Sequence, residues 1–574
     1  MPNENWVVAA KRADFNAIGK AFGIDPVIAR LIRNRDVTGD DAIRLYLDGT
    51  LRDLSDPALM KGMPEAVSIL KNALSEHRKI RIIGDYDIDG IMSSFILLKA
   101  LRELGADTDV RIPERIRDGY GLNEHLVRQA AEDGAELILT CDNGISASEQ
   151  IRLAGELGLR TIVTDHHEVP YEEDPETGMR HYLLPPADAV IDPKQDECRY
   201  PFKGLCGAGV AFRLIQALYR AEGLPAEKAE AFLEYVAIAT VGDVMDLNGE
   251  NRILVKEGLK KLHCTSGTGL LELIRRNGIE PEQVDVYHIG FVIGPCLNAS
   301  GRLDTAKRAL QLLLAEDRAE AARLAGDLIS LNESRKYMTD QGEKEAAAIV
   351  ESTSLANDRV LVVFLPDCHE SIAGIIAGRL KERYCRPAFV LTRTEKGVKG
   401  SGRSVEAYSM YEELTRCRDL LGQFGGHPMA AGLSLPEENV DAFRRKINEL
   451  CTLTERDLTP KITIDIAMPF SYVSEELIRQ IGLLRPFGKG NTRPLFAEKD
   501  LAVSFLRVFG KNRNVAKMKL TDPQGRSIQA VYFGEADAFA QYVQTHDRIA
   551  VIYYPGLDTW QGRRALQLTI VSYR

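Results

Sequence analysis

Residues 159–167 read Leu159-Arg160-Thr161-Ile162-Val163-Thr164-Asp165-His166-His167, an apolar β-like run that ends in an acid and two imidazoles. Two earlier runs end in acids in the same way. Ile80-Arg81-Ile82-Ile83-Gly84 leads into Asp85-Tyr86-Asp87-Ile88-Asp89-Gly90, and Leu137-Ile138-Leu139-Thr140-Cys141 leads into Asp142-Asn143-Gly144. Helix-patterned segments at 65–76, 126–133 and 146–157 alternate with these runs. Such alternation predicts a parallel, doubly wound α/β sheet. In such a sheet ligands gather outside the carboxyl ends of the strands, so the polar side chains are expected to converge on one site.

The Asp-x-Asp-x-Asp-Gly stretch at 85–90 resembles the start of an EF-hand loop, but position 12 must be a bidentate Glu and is Ile96. The run before it is also β-like, where an EF-hand needs a helix. A strand end followed by a helix over 92–101 is the better reading, and that helix N-terminus could face an anion. Oxygen and imidazole ligands without thiolate suit Mn²⁺, Mg²⁺ or Zn²⁺, and a mostly carboxylate set leans toward Mn²⁺ or Mg²⁺. Asp243, in Thr240-Val241-Gly242-Asp243-Val244, adds a further acid. That many carboxylates in one pocket repel one another unless more than one cation compensates. Two ions a few Å apart suit phosphoester hydrolysis. Any one of these aspartates alone reads more readily as a helix cap or a turn residue, and only the ensemble favours a metal site.

A chain of 574 residues is too long for a single core. Its hydrophobic fraction of 45% and charged fraction of 27% are those of an ordinary soluble protein. No apolar stretch reaches the roughly 18 residues a membrane span needs, and the N-terminus lacks signal-peptide character, so a cytoplasmic location is expected. Nine scattered cysteines without a Cys-x-x-Cys pair fit reduced thiols. The net charge of −10 at first speaks against a polyanionic partner, yet residues 499–574 carry 11 Lys+Arg against 6 Asp+Glu. The overall acidity hides a basic C-terminal module.

The chain divides into an N-terminal helical and irregular lead (1–60), an α/β domain (61–304), a helical connector with one long helix (305–355), a second α/β domain (356–452) and a C-terminal domain (458–574). Alternating runs at 501–509, 515–521, 527–534, 548–554 and 564–572 predict a small five-stranded barrel of the OB type. Lys511, Arg513, Lys517 and Lys519 lie among Phe505, Phe509, Tyr532, Phe533, Tyr553, Tyr554 and Trp560. Cations interleaved with aromatics suit a single nucleic-acid strand, although strand alternation places about half of these rings in the core.

The four acidic motifs, Asp85 to Gly90, Thr140-Cys141-Asp142-Asn143-Gly144-Ile145-Ser146, Asp165-His166-His167 and Thr240 to Val244, resemble motifs I to IV of the DHH phosphoesterases. Cys206-Gly207-Ala208-Gly209-Val210-Ala211-Phe212 and Gly294-Pro295-Cys296-Leu297-Asn298-Ala299-Ser300-Gly301-Arg302 resemble further segments of that family's single-strand exonuclease branch. The second α/β domain looks like its DHH-associated domain, through residues 369–379, Lys399-Gly400-Ser401-Gly402-Arg403-Ser404 and Phe424-Gly425-Gly426-His427-Pro428-Met429-Ala430-Ala431-Gly432. Pro486-Phe487-Gly488-Lys489-Gly490-Asn491 and the barrel complete the order.

The resemblance implies a two-metal-dependent exonuclease that degrades single-stranded DNA from the 5′ end to mononucleotides, with Mn²⁺ or Mg²⁺, in repair and recombination. It implies Asp85, Asp87, Asp89, Asp142, His166 and Asp243 as metal ligands, with Asp142 the bridge; which two of the first three aspartates ligate stays open. His167 is expected to contact the scissile phosphate or steady the metal ligands, and water to be the nucleophile. Gly400, Ser401, Arg403 and Ser404 form a phosphate cradle, with Arg302, Gly425, Gly426 and His427 as further substrate contacts. Partners expected beyond single-stranded DNA are a single-strand-binding protein and a repair helicase, with a monomeric chain and no membrane association. Three positions depart from the family pattern: Cys296 where Arg is usual, Cys368 where Trp precedes the His, and Asp192-Pro193 in place of Asn-Pro. Two rivals remain, a DHH phosphodiesterase of short oligonucleotides or cyclic dinucleotides, and an inactive nucleic-acid-binding scaffold.

Overall fold

The computed structural model describes residues 4–115, 119, 121–174, 176–395, 397–558 and 564–574. The first sheet has five parallel strands, β1 (Ile80–Ile83), β2 (Thr108–Arg111), β3 (Leu137–Cys141), β4 (Arg160–Thr164) and β5 (Ala189–Ile191), in the order β2-β1-β3-β4-β5. β1 and β3 are buried along their whole length, as strands covered by helices on both faces must be. The order reverses between β1 and β3, which is where a doubly wound sheet opens a crevice at its carboxyl edge. Ile83 pairs with Thr140 and Cys141 with Thr164, so β1, β3 and β4 end in step and deliver residues 85, 142 and 165 to that crevice.

Helix α1 (Ile88–Glu103) begins earlier than residue 92 because the Asp87 carboxylate accepts hydrogen bonds from the Asp89 and Gly90 amides. Asp89 therefore sits in the first helical turn rather than on a loop. Helices α2 (Gly207–Ala221) and α3 (Leu233–Gly242) bury the sheet, and α4 (Gly294–Leu303) crosses beside the β1–α1 junction.

Helix α5 (Arg318–Ser352) is the predicted connector, 35 residues long, or about 50 Å at 1.5 Å per residue. Its start, at Ala321, Leu324, Ala325 and Leu328, belongs to the core of the first α/β domain. Its end, at Ala346 and Val350, belongs to the core of the second domain. That domain has the sheet β6 (Leu361–Phe364), β7 (Ala388–Thr394), β8 (Gly397–Arg403), β9 (Phe424–His427) and β10 (Ala430–Leu435), ordered β9-β10-β8-β7-β6, with helix α6 (Glu370–Tyr384) packed on it.

The C-terminal strands β11 (Phe496–Phe509), β12 (Val515–Thr521), β13 (Ser527–Phe533), β14 (Ile549–Asp558) and β15 (Ala565–Tyr573) run in the order β11-β12-β13-β15-β14, and β14 pairs back onto β11. The sheet closes on itself, in the OB arrangement. The N-terminal lead packs on this distant barrel: Ile28, Leu31, Ile32 and Tyr46 share one core with Phe496, Val551 and Leu568. Strand Asn5–Val8 also pairs in parallel with Lys461–Ile464. Among the described residues no helix is long and apolar enough to cross a membrane.

Candidate metal centre and substrate cleft

Three overlapping groups of possible ligands form at the crevice, one of them Asp142, His166 and His167. Asp85, Asp87 and Asp142 offer carboxylate oxygens within 4.8 Å of one another, as do the ligand atoms of Asp89, His166 and Asp243. Asp142 joins them, because its Oδ1 lies 3.0 Å from His166 Nε2. His166 Nε2 is also 3.5 Å from Asp89 Oδ2 and 3.8 Å from Asp243 Oδ2. All six residues proposed as ligands from sequence therefore meet, and the three aspartates of 85–90 divide between the sets, with Asp85 and Asp87 in one and Asp89 in the other.

Each carboxylate is held by a different device. Asp142 has φ 60°, a left-handed conformation that turns its side chain back over the crevice. Asp89 accepts hydrogen bonds from Gly207 N at 2.6 Å and Ala208 N at 2.7 Å, the first amides of α2, where a helix favours negative charge. A Cβ at Gly207 would lie 2.7 Å from the Asp142 Cβ, so only glycine lets the helix come this close. Asp243 caps the C-terminus of α3, the negative end of the helix, a position that favours cations over carboxylates. The Asn298 Oδ1 on α4 accepts from Ile88 N at 2.8 Å and steadies the loop that carries Asp85 and Asp87.

The electrostatics demand a cation. Burial, then the charge of Asp87, raises Asp89 to about 6. Burial, then Asp89, raises Asp243 to about 7. Asp142 is pushed well up by burial and by four neighbouring aspartates, and Asp85 by burial and Asp87. Burial and then His167 lower His166 to about 4, so it is neutral near pH 7. Its 3.0 Å contact with Asp142 is then not an ion pair; a proton or a metal ion must lie between the two atoms. Asp85 Oδ1 is buried with no hydrogen-bond partner among the described residues. An acid-rich set with one imidazole and an orphaned inward oxygen fits hard divalent cations such as Mn²⁺ or Mg²⁺.

Asp165, which drew attention to the motif, is a positioning residue. Its Oδ2 accepts from Ile145 N at 2.9 Å, and its Oδ1 from His166 N at 2.7 Å and from the His167 ring, with Nδ1 at 2.7 Å. Burial pushes Asp165 up, but the His167 hydrogen bond and both imidazoles outweigh it and hold the carboxyl below its usual range. Burial lowers His167, and the Asp165 hydrogen bond and charge reverse this to raise it to about 9. We expect Asp165→Asn to lower hydrolysis about 10- to 100-fold, as loss of a carboxylate behind a site histidine does. NMR of histidine-labelled, metal-free protein should show His167 titrating well below 9 in that variant.

A cavity of about 560 Å³ opens between Tyr86 and Arg115 of the first α/β domain and Lys399, Gly400, Ser401, Phe424, Gly425 and Leu433 of the second domain. Arg302 donates to the Ser371 carbonyl at 2.9 Å. Burial, then Arg115 and Arg335, lowers Arg302 to about 10, and burial and Arg115 lower Arg403 as well. Several guanidiniums drawn together against their own repulsion mark a place for an anion. The other sequence-proposed contacts divide. Ser401 and Gly425 line the cavity. Ser404 is buried and its hydroxyl donates to the Tyr408 carbonyl, which gives it a turn-holding role in place of the expected phosphate contact. Gly426 has φ 143°, and a Cβ there would lie 2.4 Å from the Ala430 carbonyl oxygen. His427 is exposed on edge strand β9.

Sequence reasoning did not find Arg115, which stands over the Tyr86 ring at 5.0 Å, Arg335, or the two α2 amides on Asp89. The Gly207-Ala208-Gly209 run was the available signal for those amides. On the barrel, Phe505, Phe509 and Phe533 are exposed while Tyr553 is core. Arg513 is tied to Asp537, and Trp560 lies outside the described residues.

Three family profiles match: the DHH family N-terminal domain over residues 79–240, the DHHA1 domain over 357–453 and the RecJ OB domain over 464–572. The single-stranded-DNA-specific exonuclease RecJ of Bacillus subtilis (strain 168) is 37% identical over 551 residues, covering 95% of this chain and 68% of its own. The protein of the same name from Haemophilus influenzae is 35% identical over 582 residues, covering 97% and 95%. The crystal structure of RecJ in complex with Mn²⁺ from Thermus thermophilus superposes with a TM-score of 0.83 at 28% identity, covering all of this chain and 80% of that one. With three domain types in the same order and over a third of positions shared along nearly its whole length, this chain belongs to the RecJ family.

Proposed function

We propose that this chain is a two-metal-dependent exonuclease that hydrolyses single-stranded DNA 5′ to 3′ into mononucleotides, in DNA repair and recombination. The observation that carries the reading is the cluster of acids and imidazoles joined by Asp142, beside a cleft bordered by Tyr86, Arg115, Lys399, Gly400 and Ser401. Asp85, Asp87 and Asp142 would hold one ion, and Asp89, His166, Asp243 and Asp142 the other. Two divalent cations bound there supply Lewis-acid activation of a water and stabilisation of the leaving oxygen. The protein's own groups bind and orient. Asp165 aims the cationic His167 toward the scissile phosphate, and Arg302, Arg403 and Arg115 neutralise the strand terminus. Ser401 and the Gly400 backbone border the terminal nucleotide from the opposite wall. A cavity of this volume suits one nucleotide, in keeping with mononucleotide release. The 5′ polarity, the single-strand-binding protein and helicase partners and the monomeric state follow the family resemblance, and the nine free cysteines accord with a cytoplasmic setting.

Single-stranded DNA labelled at either end, incubated with Mn²⁺, tests this reading. Early release of the 5′ label as a mononucleotide is expected. Cleavage confined to dinucleotides would favour the small-substrate phosphodiesterase, and binding without cleavage the scaffold. The exposed barrel phenylalanines, unnecessary for a dinucleotide, favour the longer strand. Arg302→Gln should raise KM for a 5′-phosphorylated strand about 10- to 100-fold, the loss of a charge-assisted hydrogen bond, and change KM for a 5′-hydroxyl strand much less.

A further inference from the structure

We infer that the pocket beside the second half of α2 is a further anion site, built for a phosphate monoester of about nucleotide size. A cavity of about 420 Å³ opens there. Its walls are the turns Leu51–Asp53 and Pro57–Leu59 of the N-terminal lead, α2 from Arg213 to Arg220, and the turn Ala226–Phe232. The volume lies in the range of small-molecule sites. The pocket is separate from the metal centre. Arg213 and Arg220 lie about 9 Å and about 20 Å along α2 from Gly207, whose amide holds Asp89.

Arg213 points to the ligand. It lines the cavity and is only 3% exposed. Its two terminal nitrogens donate to the Gln216 side-chain oxygen and the Ser55 carbonyl, and its guanidinium lies 5.9 Å from the centre of the Tyr200 ring. All three partners are neutral. Its buried Nε has no hydrogen-bond partner among the described residues. The buried acid Glu250 is spent elsewhere, accepting from Ser55 N at 3.0 Å and from the Tyr200 hydroxyl at 2.5 Å. A buried guanidinium held only by neutral groups is costly, because dipoles replace just part of its hydration. An anion in the cavity balances it.

Two more guanidiniums, of Arg52 and Arg220, border the same space. Of the acids at the rim, Asp56 is taken by Arg220 at 3.2 Å and Glu230 lies 3.6 Å from Lys261. That leaves Glu227 against Arg52 and Arg213, so the balance is cationic. Three guanidiniums from two elements suit the three terminal oxygens of a phosphate monoester. A carboxylate is satisfied by one guanidinium in a bidentate pair. Leu51, Leu54 and Pro57 give the organic part of the ester an apolar wall.

Equilibrium dialysis of the full chain in EDTA, against labelled dAMP, inorganic phosphate or adenosine, tests the assignment. Arg302→Gln removes a cation from the substrate cleft, so binding that persists in that variant is counted at the α2 pocket. One equivalent of dAMP is expected there. Inorganic phosphate should bind about 10-fold more weakly, for want of the apolar contact, and adenosine should not be retained. Adding Arg52→Gln should weaken dAMP about 10-fold, the loss of one charge-assisted hydrogen bond. Adding Ala226→Trp instead, which fills the cavity and leaves every arginine of the pocket in place, should abolish binding. An Arg302→Gln chain that binds no dAMP overturns the inference. So does dAMP binding that both added substitutions leave unchanged, or adenosine retained as well as dAMP. Inorganic phosphate bound as tightly as dAMP overturns the assignment of an organic ester. No hydrolysis is measured, so the outcome is independent of the nuclease reading.

Discussion

Asp142→Ala is expected to reduce release of nucleotides from single-stranded DNA by about 10³-fold or more, the several kcal/mol that cation stabilisation supplies at a phosphoester. The reason is its place in two of the three ligand groups, with Asp85 and Asp87 and with His166 and His167, and its 3.0 Å approach to His166. Removing it breaks two sites at once, whereas Asp85→Ala or Asp243→Ala breaks one. The same substitution should not destabilise the metal-free protein. Asp142 is buried among four acids that raise its pKa, and deleting it relieves repulsion. Melting in EDTA should give a midpoint equal to or above that of wild type, with most of the Mn²⁺-induced rise lost. A variant that melts lower in EDTA and still gains the full rise with Mn²⁺ would remove Asp142 from the bridging role.

Chelation is the second large effect. EDTA should abolish hydrolysis, and Mn²⁺ should restore it while raising the melting midpoint more at about pH 8 than at about pH 5.5. Asp89 at about 6 and Asp243 at about 7 are raised above the unfolded carboxylate range near 4, and Asp85 and Asp142 are raised as well. Between about pH 4 and 7 the metal-free native state binds more protons than the unfolded chain, so these acids make stability fall as pH rises. His166, lowered to about 4, works in the opposite sense, since its unfolded form takes up a proton below about 6.5. Four acids outweigh one imidazole. Metal ions compete with those protons, so binding tightens as pH rises. An Mn²⁺-induced shift that is independent of pH over this range would show that the acids are already ionised without metal.

The strand-end acids were legible because each is local. An apolar run that stops at an acid places that acid at a strand terminus, whatever lies around it. The barrel's five strands were legible through their period of two. The roles of neighbouring acids were not. Asp165 reads like Asp142 in the chain, yet its oxygens are spent on Ile145, His166 and His167, and only the meeting of β3, β4 and their loops shows it. The barrel aromatics were ambiguous for a related reason. The register shift between Ser504 and Arg507 breaks the alternation that would have assigned Phe505 a face.

By itself, then, the sequence determined the parallel α/β class, the candidate ligand residues and the family, because strand periodicity and strand-end chemistry are properties of short segments. Only the tertiary structure decided how Asp85, Asp87 and Asp89 divide between two sets, that α2 amides hold Asp89, that the N-terminal lead packs on the C-terminal barrel, and that Arg115 and Arg335 face Arg302. Each of those depends on contacts between segments tens to hundreds of residues apart. Burial, mutual repulsion and close backbone approach set such contacts, and none of the three leaves a periodic trace in the chain.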